Sequence, residues 1–266
     1  MMRRHSLGFT LTELAIAFLI VSLLLAGFMY TLAAQTEQRN RGDTLRRLEE
    51  AKEALIAFAI VNGRLPCPAA APPNAPYSNV GGTGVESPAG GACTDGYTGF
   101  LPGLALGFQP VDSNGYALDA WNNPIRYAVS KNSSVAGSPD WNFTTAGSMK
   151  ANGVSVTPSD LVICAQGTGI NAGAGTCSAA PAVTNQSVVV AVLWSQGKNF
   201  ITAAAFGTDE AVNNKHRLPA VQNDNPVFVY TTPAPSGAAG GEYDDLIVWL
   251  PVGVLYGRLI AAAVLP

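Results

Sequence analysis

The chain has 266 residues, enough for one large or two small domains, and its 48% hydrophobic content sets it apart from disordered tails. Charged residues make up only 12%, while 28 Gly and 18 Pro mark a loop-rich chain. A net charge of -3, with no run of Lys or Arg beyond residue 52, argues against nucleic acid as a partner.

The first element reads as an address. Residues 1–8 carry Arg3 and Arg4 and no acid, and residues 9–34 form an apolar run in which Glu13 is the only charge. A helix of that length, at about 1.5 Å per residue, exceeds the ~30 Å hydrocarbon thickness of a bilayer. The basic side precedes the run, which places Met1 in the cytoplasm and the chain after Gln35 outside. The run is also too long for an ordinary secretory signal, whose apolar part is about 7 to 15 residues. Glu13 has two readings. It reaches the cytoplasmic headgroups about one helical turn away, or it needs a cationic partner, because ionisable groups inside a membrane tend to pair. A cut after Gly8 would create one, the free α-amine of Phe9, available within the chain or to a neighbouring chain.

A basic leader, Gly8 and then F-T-L-T-E-L-A-I-A-F-L-I resembles the class III signal of type IV pilins and of the pseudopilins of type II secretion. The resemblance implies that a prepilin peptidase cuts between Gly8 and Phe9 and methylates Phe9. It implies that Glu13 pairs with the N-terminal amine of an adjacent subunit during assembly. The chain would then be a single-pass protein of the bacterial inner membrane with a periplasmic head. An inner-membrane assembly platform would draw it, with other pilin or pseudopilin subunits, into a pilus or pseudopilus. Its length exceeds what is usual for major subunits of such filaments, which points to a minor subunit at or near a tip.

Residues 35–65 continue the same helix as an amphipathic half. Leu45, Leu48, Ala51, Leu55 and Phe58 recur every three or four positions, and Asp43 with Arg47 and Glu49 with Lys52 add opposite charges on the outer side. Asn62-Gly63-Arg64-Leu65-Pro66 stops it. The remainder, 66–266, reads as one β-rich, pilin-like head. It starts with an irregular loop over 67–97, followed by strand candidates at 125–129, 161–165, 187–194 and 246–250, read as one antiparallel sheet. The turn Asp119-Ala120-Trp121-Asn122-Asn123-Pro124 resembles the D-x-W-G-N-P turn of major pseudopilins, with Asn122 in place of the glycine. Residues 246–266 are apolar but interrupted by Pro251, Gly253, Gly257 and Arg258, which favours a strand, a break and a short terminal helix over a second span. The expected fold class is α+β: a long N-terminal helix, membrane-spanning in its first half, packed on an antiparallel sheet with large disulfide-stapled loops.

Four cysteines allow three pairings, and the local one, Cys67 with Cys93 and Cys164 with Cys177, is favoured because each bridge staples a loop with little core of its own. All four lie on the exported side, where disulfides persist. With no C-x-x-C and with His5 and His216 isolated, zinc is not expected. There is no G-x-S-x-G, H-E-x-x-H or phosphate loop, so no enzyme is expected, and no cofactor follows from these residues. Glu242, Asp244 and Asp245 form an acidic cluster of the oxygen-rich kind that binds calcium. Major pseudopilins hold calcium in a C-terminal loop, so the resemblance implies calcium near these residues, and Ser195-Gln196-Gly197-Lys198-Asn199 also resembles a loop near that site. An acidic turn before the last strand is the plainer reading and the favoured one. The function expected is that of a filament subunit. The alternative is a monomeric, signal-anchored exported protein whose head binds a ligand or glycan.

Overall fold

The computed structural model describes residues 10–72, 82–131, 140–153, 159–171, 173–199, 208–215, 225–238 and 240–265, with the side chains of 26–33 outside the description. The chain divides into two compact units, Met1–Gly42 and Asp43–Pro266.

Helix α1 (Leu11–Asn62) runs for 52 residues without a proline and is rich in Ala, Leu, Glu and Arg, the strong helix formers. Asn62-Gly63 ends it as expected: Gly63 takes φ +66° and its N–H returns to the Ala59 carbonyl at 2.9 Å. Among the described residues no helix is long and apolar enough to cross a membrane.

Within the second unit α1 buries Thr44, Leu48, Ala51, Leu55, Ile56 and Ala59. Leu48, Ala51 and Leu55 are buried as expected, and the stripe differs from the expectation only at its ends. Leu45 is exposed, and Phe58 is half-buried under the Arg64 guanidinium, 5.2 Å from its ring centroid. At those ends Thr44 Oγ1 accepts from the Ala120 N–H at 3.0 Å and Ala59 lies in the main core. Arg46 lies 3.8 Å from Asp43 and 3.0 Å from Glu50, while Arg47 Nη1 donates to the Leu118 and Asp119 carbonyls; Lys52 pairs with Glu49 as expected.

The head continues with α2 (Gly103–Leu106), β1 (Arg126–Val129), α3 (Ser148–Asn152), β2 (Val162–Cys164), β3 (Val189–Ser195), α4 (Thr208–Asn213), β4 (Val227–Val229), β5 (Leu246–Pro251) and α5 (Val252–Ala261). Four of the strands fall where the sequence places them, and the C-terminal stretch is a strand and a helix joined at Pro251. A three-stranded antiparallel sheet has the order β1-β3-β5. Its faces follow the two-residue period of a strand. Tyr127, Val129, Leu193, Val248 and Leu250 pack with Leu48, Leu55 and Ala59 of α1. Ala128, Val192, Trp194 and Ile247 pack with Leu161, Ile163 and Phe228. A register shift between Val189 and Ala191 places two consecutive residues, Val190 and Ala191, in the α1-side core.

The single antiparallel sheet expected from the sequence is therefore corrected to two sheets. β2 and β4 form a separate parallel pair, with Val162 opposite Val227 and Cys164 opposite Val229. Strand β4 escaped the sequence reading because Val-Phe-Val is too short and too uniformly apolar to show an alternation. The chain enters β4 from α4, and Asn213 joins the two: its Nδ2 donates to the Val229 carbonyl and its Oδ1 accepts from the Val229 N–H, each at 2.8 Å.

Both disulfides form as expected, Cys67–Cys93 across 26 residues and Cys164–Cys177 across 13. The first loop is also tied to the end of α1. Arg64 makes a two-point contact with Glu86, at 2.6 and 3.1 Å, and Glu86 Oε2 accepts from the Cys67 N–H at 3.1 Å.

The 119–124 turn shows why a glycine-like position occurs there. Asn122 adopts φ +64°, the left-handed region that Asn tolerates better than most residues. Buried Asp119 holds the turn: its Oδ1 accepts from Trp121 N–H at 2.9 Å and Asn123 N–H at 2.8 Å, and its Oδ2 accepts from Ser195 Oγ at 2.5 Å. Burial pushes this carboxyl up to about 6, against the pull of those hydrogen bonds and of Arg47. An acid raised in this way stabilises the fold most below its unfolded pKa, and that contribution is lost as pH rises through about 6. Melting temperature is therefore expected to fall through this group between about pH 4 and pH 7. Asp119→Asn keeps an oxygen for both N–H donors and should reduce the slope. Melting curves across that range check it, and equal slopes for wild type and variant would contradict it.

Candidate functional site

Two places carry the residues that the sequence singles out. At the start of α1, Gly8 and Phe9 lie outside the described residues, and Glu13 is exposed. Glu13 closes a reciprocal cap with Thr10. Glu13 Oε2 accepts from the Thr10 N–H at 2.9 Å and from Thr10 Oγ1 at 2.8 Å, and the Glu13 N–H donates to Thr10 Oγ1 at 3.3 Å. This satisfies donors that the first turn leaves without helical partners. The carboxylate thus has a role within its own chain that neither sequence reading supplied. The signal was legible, since Thr10-Leu11-Thr12-Glu13 has the T-x-x-E spacing of a capping box.

The second place lies in the head, where β3 runs out and β5 begins. Glu210, Asp244 and Asp245 are buried, and one ligand oxygen from each lies within 4.8 Å of the others. Glu242 is not part of this group; its Oε1 pairs with Lys198 Nζ at 3.2 Å. The sequence reading missed Glu210, which stands 34 residues before Asp244 and has no spacing that links the two. His216 and His5 lie outside the described residues.

Three segments position the acids. The Ser195–Asn199 loop turns at Gly197, φ +62°, where a Cβ would stand 2.4 Å from the Asp244 carboxyl. That close approach lets the Lys198 N–H donate to Asp244 Oδ2 at 3.1 Å. Helix α4 contributes Glu210 and, one turn on, Asn213, whose Nδ2 donates to Asp245 Oδ2 at 2.8 Å. Glu210 is held from both sides, its Oε1 accepting from the Asp244 N–H at 2.6 Å and its Oε2 from Asn199 Nδ2 at 3.0 Å. The same loop reaches the Asp119 turn through Asn123 Nδ2, which donates to the Gly197 carbonyl at 2.7 Å.

The electrostatics of this cluster are unfavourable as they stand. Burial pushes Glu210 up to about 7 and raises Asp244, and it lifts Asp245 well above the usual carboxylate range. A side-chain hydrogen bond with Glu210 pulls Asp244 down, helped by Lys198, and one from Asn213 pulls Asp245 down, helped by Arg126, but burial outweighs them. Among the described residues, Asp244 Oδ1 and Asp245 Oδ1 are buried without a hydrogen-bond partner. Buried carboxylate oxygens without donors are costly, and a bound cation is a common remedy. The donor set is all oxygen, the kind that a hard ion takes, and its oxygens lie close enough together for one ion to touch all three. Comparison of the chain with family models, with curated proteins and with solved structures finds no match.

Proposed function

We propose that the chain is a membrane-anchored structural subunit, of the minor kind, of a type IV pilus or type II secretion pseudopilus. It assembles by helix packing after cleavage between Gly8 and Phe9 and methylation of Phe9. One observation carries the reading. The start of α1 is apolar and bare on every side: Leu23, Leu24 and Leu25, which point in three directions around a helix, are 66%, 58% and 57% exposed. An amphipathic helix would have one such face, whereas a helix apolar all round calls for surroundings that are apolar all round. Lipid supplies them before assembly, and the same segment of other subunits supplies them in a filament core. Its partners on this reading are prepilin peptidase, the inner-membrane assembly platform and other pilin-like subunits.

The head carries a second element of the proposal. The resemblance implies calcium near Asp244 and Asp245, and the partnerless oxygens of both favour a divalent cation there over a plain acidic turn. Its chemistry would be structural, neutralising buried charge and fixing the chain as it enters β5.

Crosslinking tests the assembly reading. All four native cysteines are paired, so a cysteine placed at Leu19 in the apolar segment is the one reactive thiol. Membranes of a cell with the assembly machinery should yield dimers and higher species on oxidation. Monomer alone would favour a signal-anchored exported protein that acts singly.

A further inference from the structure

We infer that Glu210 is a ligand of the cation held by Asp244 and Asp245, so that cation binding fastens α4 to the chain entering β5. The inference rests on the cation site proposed above and adds what the resemblance does not supply, a ligand from a separate segment. Glu210 is 1% exposed, and one of its oxygens is within 4.8 Å of one oxygen of each aspartate. Its contacts with Asn199 and with the Asp244 N–H set the carboxylate's place. Each aspartate has its Oδ2 bonded, Asp244 to Lys198 N–H and Asp245 to Asn213 Nδ2, and has its Oδ1 buried with no hydrogen-bond partner among the described residues. One oxygen of each of the three carboxyls lies within 4.8 Å of the others, which puts Glu210 in reach of an ion held by the two aspartates.

The consequence concerns the fold around the site. Asn213 ties α4 at once to Asp245 and to both polar backbone groups of Val229 in β4. An ion bridging Glu210 to Asp244 and Asp245 would therefore lock α4, the β2–β4 pair and the start of β5 into one unit. With no ion bound, three acids crowd the same buried space, and their repulsion works against the same closure.

The test uses the full-length protein in detergent, stripped with chelator and titrated with calcium chloride, with amide exchange measured over 208–213. Wild type should bind calcium, and exchange in α4 should slow on binding. Glu210→Gln should bind about tenfold or more weakly, since affinity follows the number of anionic ligands. Melting in chelator guards against a merely structural loss. There the variant should be as stable as wild type or more so, having lost a buried charge, while calcium should raise the melting temperature of wild type alone. Absence of calcium binding by wild type would overturn the cation site and this inference together. Equal binding by wild type and Glu210→Gln, or unchanged exchange in α4, would overturn the inference and leave the aspartate site standing.

Discussion

Replacing Glu13 by Gln is expected to leave the start of α1 intact while sharply reducing crosslinking through a cysteine at Leu19. Glutamine at the third helical position closes a capping box as glutamate does, because its side-chain oxygen still accepts from the Thr10 N–H. What it cannot do is neutralise an ammonium. If Glu13 pairs with the Phe9 amine of a neighbouring subunit, the change strands that cation in a poorly solvated setting. Breaking one side of such a pair costs about 3 to 5 kcal/mol, which is roughly a hundredfold or more in an association constant. Glu13→Ala separates the roles, since it removes the cap as well, at a cost of about 1 kcal/mol to the helix start. A pairing role predicts that both variants fail to crosslink to a similar degree at equal membrane abundance. A capping role alone predicts that Glu13→Gln behaves as wild type and that only Glu13→Ala is impaired.

The second large effect is expected from the Cys67–Cys93 bridge. It closes the longer loop, 26 residues against 13 for Cys164–Cys177. Loop-closure entropy alone is worth about 3 to 4 kcal/mol for a loop of that size. Both cysteines also sit in the main core beside Leu65 and Leu101, so removing the bridge loosens packing there as well. The double variant Cys67→Ala/Cys93→Ala should melt lower by on the order of 10 °C in a head of this size. Cys164→Ala/Cys177→Ala should lose less, because that bridge closes a shorter loop in the smaller cluster under β2 and β4. Thermal melts of the two variants decide the order, and a larger loss from the second bridge would contradict it.

Much of this fold was legible in the sequence, and what was not has identifiable causes. Glycine, proline and β-branched runs placed the end of α1, four strands and the C-terminal strand and helix, because those signals act locally. The middle of the α1 stripe, Leu48, Ala51 and Leu55, was read correctly, and only its ends were not: Leu45 and Phe58 look like core residues, but Thr44 and Ala59 are the ones buried. The cap at Thr10 was readable and passed over. Glu210 was not readable at all. Its partners come from the loop after β3 and from the chain entering β5, and nothing in Thr208-Asp209-Glu210 distinguishes a buried acid from the exposed acids of an ordinary first helical turn.

The N-terminus of the mature chain decides the assignment, and intact-mass and peptide mass spectrometry of the protein from native membranes read it directly. Cleavage after Gly8 removes Arg3 and Arg4, so Lys+Arg falls from 15 to 13 against 18 acids and the net charge becomes -5. The expected result is a chain beginning with methylated Phe9. A chain that still begins at Met1, in cells with active prepilin peptidase, would contradict the assignment to a pilus or pseudopilus.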